Sequence, residues 1–138
     1  MDMSPQLRFD GACEAAFEYY ARLFGGTIAV LNKLGDTNGA PLPPGSTGGN
    51  AENVRFAELH IGEMKIRGND LPAGEYRAPR GFNMSVHFAK AAEARRVFDG
   101  LADGGTVTVE PAQVAWADFF GMVTDRFCIP WLVLGFAD

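Results

Sequence analysis

The chain repeats itself. Shifted by 79 positions, Gly25-Gly26-Thr27 falls on Gly104-Gly105-Thr106, Ile28 on Val107 and Val30 on Val109. The same shift sets Glu14-Ala15 on Glu93-Ala94, Tyr19 on Phe98 and Phe9 on Phe88. Matches held in one register across a strand, a helix and a glycine stop mark a duplicated supersecondary unit, which restricts the fold to two copies of one module. At 138 residues there is chain enough for one domain with a real core, and too little for two independent ones.

Each copy reads alike. Residues 5–9 and 82–88 alternate polar and apolar side chains, as in Gln6, Leu7, Arg8, Phe9 and Ser85, Val86, His87, Phe88, which is the period of a half-buried strand. A helix follows each. Ala16, Tyr19, Tyr20 and Leu23 recur at helical spacing up to Gly25, and Ala94, Val97, Phe98 and Leu101 do so up to Gly104, glycine being the usual helix stop. Three strands then complete each copy, over 27–31, 54–61 and 64–67 in the first and 106–109, 121–124 and 131–134 in the second. The fold class is therefore α+β. The reading is a single domain over 1–138, with a first module at about 1–70, a linker at about 71–81 where the repeat restarts, and a second module at about 82–138. The Gly-, Pro- and Asn-rich segment 36–53 is long for a structureless connection, and reads as a lid, a dimer arm or a disordered stretch.

Composition narrows the partners. With 47% hydrophobic and 21% charged residues the chain sits among globular proteins, away from the signature of disorder. A formal net charge of -5 with twelve scattered basic residues argues against nucleic acid, because phosphate binding needs clustered Lys and Arg. The first ten residues carry no secretory pattern, and the longest apolar stretch, about 128–137, is broken by Pro130 and Gly135, so no membrane partner is expected and the cytoplasm is the expected compartment. Cys13 and Cys128 have no metal-type spacing and read as small buried side chains.

Several strings carry a family resemblance: Pro5 to Phe9 with Asp10-Gly11, the helix AAFEYYARLFGG, then AELHIGEM, RRVFDGLADGGTVTV and the closing FFGMVTDRFCIPW. In that order, over nearly the whole chain, they resemble the PhnB-like branch of the glyoxalase/bleomycin-resistance/dioxygenase (vicinal oxygen chelate) superfamily. The resemblance implies two tandem βαβββ modules forming a curved mixed sheet, a cup with the helices on its outer face, usually in a homodimer around a small-molecule site. It also brings the label 3-demethylubiquinone methyltransferase-like. No G-x-G-x-x-G follows a strand here to hold S-adenosylmethionine, which speaks against that label. Chelating members of the superfamily bind a divalent metal through the first and last strands of each module. Carried onto this sequence, those places read Pro5 or Gln6, a residue near Arg67, Asn83 or Ser85, and Leu132. None is a His or a carboxylate, so a divalent metal is disfavoured as a cofactor.

Strand parity proposes which side chains reach the cup. With Leu7, Phe9, Val86 and Phe88 on the helices, Gln6, Arg8, Ser85 and His87 point the other way, as do Phe56, Glu58 and His60 if Ala57, Leu59 and Ile61 pack inward. His60 and His87 are the only histidines; they are hydrogen-bonded strand residues, ligand contacts, or with Glu58 an alternative metal site. Arg8 and Arg67 offer planar forks of donors for a carboxylate or phosphate, unless they are surface residues at strand ends. Trp116, Phe119, Phe120 and Trp131 are mostly core, with Trp116 a candidate pocket wall. Asp125 reads as a structural turn aspartate, followed by Cys128 where the family usually has Gly. The ligand-binding set is thus Gln6, Arg8, Glu58, His60, Arg67, Ser85, His87 and Trp116, with no catalytic residue assigned. The reading is a homodimer that binds a small organic ligand, its reaction unassigned. Its rivals are a lyase, isomerase or dioxygenase with a rearranged metal site, and a drug-sequestering resistance-type binder.

Overall fold

A computed structural model of the protein describes residues 1–36 and 51–138. The expectation for segment 36–53 falls largely on residues 37–50, which lie outside the described residues. The order of elements is β1 (Gln6–Phe9), α1 (Cys13–Phe24), β2 (Thr27–Lys33), a short 3-10 turn (Leu34–Asp36), β3 (Val54–Ile61) and β4 (Met64–Asp70). It continues with β5 (Met84–Phe88), α2 (Ala91–Ala102), β6 (Thr106–Val114), β7 (Ala117–Thr124) and β8 (Pro130–Gly135). The chain divides into two compact units, Met1–Arg77 and Ala78–Asp138. Each holds one βαβββ module with the same mixed sheet: β1-β4-β3-β2 in the first and β5-β8-β7-β6 in the second. In both, the first and last strands run parallel and the other pairs antiparallel. Among the described residues no helix is long and apolar enough to cross a membrane.

In the first unit the apolar alternation buries Leu7, Phe9, Ala57, Leu59 and Ile66 beneath α1. Those side chains drive the packing, at ~25 cal/mol for each Å² of apolar surface removed from water. The helix buries Cys13, Ala16, Phe17 and Tyr20, a stripe rotated from the expected one: Tyr19 and Leu23 stay half-buried and Phe17 faces the sheet. The reason is Gly68. A methyl group on that glycine would stand 2.7 Å from Phe17 Cζ, so the missing side chain is the space that the Phe17 ring occupies. In the second unit α2 buries the expected Ala94, Val97, Phe98 and Leu101, and Phe98 lies as close over Gly121. The ring that packs on a sheet glycine is thus Phe17 in α1, whereas the 79-residue shift pairs Phe98 with Tyr19, and the two glycines stand on different strands of the lattice, Gly68 on β4 and Gly121 on β7. The glycine stops keep that shift: Gly25 and Gly104 are both left-handed, at φ 74 and 76, a conformation that costs glycine nothing.

Two further expectations change. Strand β6 runs on to Val114 instead of stopping at Val109, through register shifts on either side of Ala112. Pro111 is tolerated there because β6 is the edge of its sheet, where a missing N–H need not be replaced. Cys13 is buried as expected but Cys128 is exposed, and at φ 71 it is the one non-glycine residue with positive φ among those described. Cysteine thus adopts the turn conformation that glycine would take without strain.

Candidate functional site

Side chains opposite each other across a ladder share a face, so the register shows what each sheet presents away from its helix. In the first unit Gln6 pairs with Arg67, Arg67 with Glu58, and Glu58 with Val30. The next row is Lys65, His60 and Thr27, and on the other side Arg8 lies opposite Asn69. This face is charged. Arg67 is its centre: Nε donates to Glu58 Oε1 at 3.0 Å, Nη1 to Ser4 Oγ at 3.0 Å and Nη2 to Asp2, while Lys65 Nζ lies 3.2 Å from the same Asp2 carboxylate. The hydrogen bond from Arg67, and after it the one from Lys65, holds the Asp2 carboxyl below the usual aspartate range. A guanidinium engaged on three sides is a clamp within the protein, and its donors are spent before any ligand arrives.

Glu58 offers its second oxygen to His60. The Glu58 side chain is 14% exposed, and its Oε2 lies 3.4 Å from His60 Nε2. That distance permits charge attraction, but the contact lacks hydrogen-bond alignment. His60 Nε2 is shut off from solvent and has no hydrogen-bond partner, although the side chain as a whole is 39% exposed. Gln6 Nε2 donates to Asn69 Oδ1 at 2.9 Å, and Asn69 Nδ2 reaches the carbonyl of Asp70. Arg8 is exposed.

In the second unit the corresponding rows read Ser85, Leu132, Met122, Val109 and His87, Leu134, Phe120, Ala112. That face is apolar, with Ser85 Oγ and His87 Nε2 hydrogen-bonded at 2.9 Å on its border. Trp116 stands in the β6–β7 turn at 58% exposure, edge-on to Phe120 with ring centroids 5.2 Å apart; Phe119 and Trp131 are buried. Asp125 is the structural residue that its turn implied. Its Oδ1 accepts from the Phe127 and Ile129 N–H groups, and its Oδ2 from the Trp131 indole at 2.8 Å.

Sequence reasoning missed Asp70. It is buried and accepts hydrogen bonds from Cys13 N–H at 2.9 Å and Val54 N–H at 2.8 Å. It thus caps α1 from the end of β4, where Ala12 offers no side-chain cap. A signal was present: α1 starts without a Ser, Thr, Asp or Asn at its N-cap, so its first N–H groups need an acceptor from elsewhere.

The four places implied for a metal do not suit one. Gln6 is tied to Asn69, Arg67 brings positive charge, Ser85 is tied to His87 and Leu132 has no lone pair to give. Among the described residues no three His, Cys, Asp or Glu side chains are grouped to hold an ion. Of the expected ligand set, Glu58 meets both Arg67 and His60 in the first unit, with Gln6 beside Arg67 in the register. Ser85 touches His87 in the second, where Trp116 stands on the β6–β7 turn against Phe120.

Comparison with known proteins agrees over the whole length. Residues 1–134 match the family model described as 3-demethylubiquinone-9 3-methyltransferase. Protein YjdN of Escherichia coli K12 is 30% identical over 145 residues, which cover 96% of this chain and 94% of that protein. The structure of protein PA1353 from Pseudomonas aeruginosa superposes with a TM-score of 0.86 at 33% identity, over 100% of this chain and 99% of that one. For the putative 3-demethylubiquinone-9 3-methyltransferase, PhnB protein, from Bacillus cereus, the TM-score is 0.81 at 18% identity, over 98% and 99% of the two chains. A glyoxylase/bleomycin resistance protein/dioxygenase domain from Frankia shares the fold at a TM-score of 0.64 and 12% identity, over 100% and 98%. The family model over residues 1–134 and the 30% identical relative make the chain a member of the 3-demethylubiquinone-9 3-methyltransferase family, with the fold of the glyoxylase/bleomycin resistance protein/dioxygenase domains.

Proposed function

We propose that the protein binds a small organic ligand on the helix-free face of its first module, and that it does so as a homodimer in the cytoplasm. One observation carries the ligand reading: Glu58 is mostly buried and His60 Nε2 is withdrawn from water in a face that also carries Gln6, Lys65 and Arg67, and the imidazole nitrogen has no hydrogen-bond partner. A shielded polar atom without a partner costs about 1–3 kcal/mol, so such an atom on a binding face has a use for a ligand donor or acceptor. The methyl transfer in the family's description is not part of this reading, because the sequence has no glycine-rich turn after a strand for S-adenosylmethionine. Free thiols at Cys13 and Cys128 suit a reducing compartment. Edge strands in both four-stranded sheets, with Val109 and Trp116 exposed in the second, suit a partner copy.

Amide NMR of the full chain with a library of small organic fragments tests the ligand reading. The expected result is a set of binders that shift the amides of Gln6, Glu58, His60 and Arg67. A library, S-adenosylmethionine included, in which no member shifts them, or in which only S-adenosylmethionine does, would refute it. Light scattering tests the assembly: a mass of one 14.9 kDa chain, unchanged on dilution from a concentrated sample, would exclude the dimer. Freshly purified protein is expected to carry less than one equivalent of divalent metal. A full equivalent that disappears when His60 and Glu58 are both replaced by Ala would instead favour the enzyme with a rearranged metal site.

A further inference from the structure

Resting on that reading of the first module's face, we infer that its ligand is an organic anion, a carboxylate or a phosphate ester, and that Arg8 is the residue that grips it. The face carries three cations, Arg8, Lys65 and Arg67, and two of them are already neutralised within the protein. Arg67 is paired with Asp2 and Glu58, and Lys65 with Asp2. Arg8 is exposed and makes neither an ion pair nor a hydrogen bond among the described residues. Asp10, two residues further on, lies beyond the end of β1 and forms no ion pair with it. In a chain of net charge -5, Arg8 is, among the described residues, the positive charge of this face that no carboxylate offsets.

The surroundings of Arg8 suit an anion better than a bulk-water counter-ion. Its register partner is Asn69, whose side chain is held by Gln6 and by the Asp70 carbonyl. Amides ordered in this way present fixed dipoles beside the guanidinium at little entropic cost on binding. The fork of a guanidinium matches two oxygens of a carboxylate or phosphate, so both bonds can form to one planar group. Phe56, half-buried, shares the parity of Glu58 and His60 on β3, which places an aromatic side chain on the same face for the organic part of the ligand. The Arg67 clamp then has a purpose. By tying Arg67 to Glu58 and Asp2, it leaves Arg8, among the described residues that the register places on this face, as the cation that sets the position of one anionic group.

Benzoate and benzamide separate charge from shape, being near-isosteric anion and neutral amide. Both are titrated into the full chain at equal concentrations and followed by amide NMR, with R8Q and R8K alongside. Benzoate is expected to shift Gln6, Arg8 and Asn69 with an affinity roughly tenfold or more above that of benzamide, in line with a charge-assisted bidentate pair. R8Q is expected to bind the two probes equally and weakly, and R8K to keep part of the preference, since lysine retains the charge without the fork. Equal affinity of the wild type for both probes, a benzoate preference that survives in R8Q, or no shift on this face with either probe would overturn the inference. The fragment library judges the parent reading separately: neutral binders on this face with no preference for anions would leave it standing and remove only the role of Arg8. Dispersed spectra of R8Q and R8K, whose altered side chain is exposed, establish that a lost preference is not lost folding.

Discussion

The two modules share a strand order and differ in where they put their charge. At equivalent places on the helix-free face the first module carries Glu58 beside Arg67, and the second carries Met122 beside Leu132. One lattice of backbone hydrogen bonds therefore supports an ionic face in one copy and an apolar face in the other, because the ladder uses only main-chain groups and leaves the outward side chains free to diverge. The inward side is less free. Both modules set a phenylalanine of the helix over a glycine of the sheet, although on different strands of the lattice, Phe17 on Gly68 of β4 and Phe98 on Gly121 of β7. The buried carboxylates also differ in place. Asp70 tethers α1 to the end of β4, whereas its lattice counterpart Gly135 lets α2 sit directly on the sheet, where a methyl group would stand 2.6 Å from Ala94 Cβ. The cap of α2 is the exposed Asp138, which accepts from Ala92 N–H at 3.0 Å.

The largest test of this contrast is the pair D125A and D70A. Asp125 accepts three buried or half-buried donors and Asp70 accepts two, so urea denaturation is expected to show losses of about 3–4 and about 2–3 kcal/mol respectively. D138A, which removes an exposed cap, is expected to lose under about 1 kcal/mol. If D138A proved as costly as D70A, the two modules would tether their helices with equal strength and the distinction would fail. Next come G68A and G121A. Each pushes a methyl group against a packed phenyl ring, and each is expected to cost about 1–3 kcal/mol. A loss at one site alone would mean that the helix of the other module can move aside.

A smaller effect probes the charged face. R67L leaves the mostly buried Glu58 without its partner and is expected to lower the urea midpoint, while E58M/R67L, which installs the second module's pair, should recover most of that loss. A double variant as unstable as the single one would show that the two faces are not interchangeable on their shared lattice. The same clamp has a pH signature. Because Asp2 titrates below its ordinary range when bonded to Arg67 and Lys65, its contribution is present above the ordinary aspartate range and is lost as pH falls through the lowered value. NMR titration of the Asp2 carboxyl should show that downward displacement in the wild type and much less of it in R67L. The smallest effect is C128G, which relieves a left-handed cysteine and is expected to stabilise the second module by about 0.5–1 kcal/mol. A destabilised C128G would show that the turn relies on the Cys128 side chain.

The residues themselves were enough to read the duplication, the βαβββ order and the split of each first strand into an inward and an outward side. Those features rest on local periodicity and on glycine stops, which act over a few residues. The outward placement of Gln6, Arg8, Glu58, His60, Ser85 and His87 follows from the same alternation and agrees with the register. The rotated stripe of α1 was not legible, since Tyr19 and Phe17 both fit helical spacing and the choice fell to Gly68, distant in sequence, where the sheet has room for a ring. Nor were the partners of Arg67 legible. Asp2 lies 65 positions away, and only strand pairing brings the N-terminal segment against β4 and turns a candidate anion grip into an internal clamp. The capping role of Asp70 escaped for the same reason, the carboxylate and its Cys13 donor being 57 residues apart. Local pattern is written in neighbouring residues and survives without the fold. Which charges meet, and which one is left over to meet a ligand, depends on contacts that close long loops, and only the tertiary structure decides them.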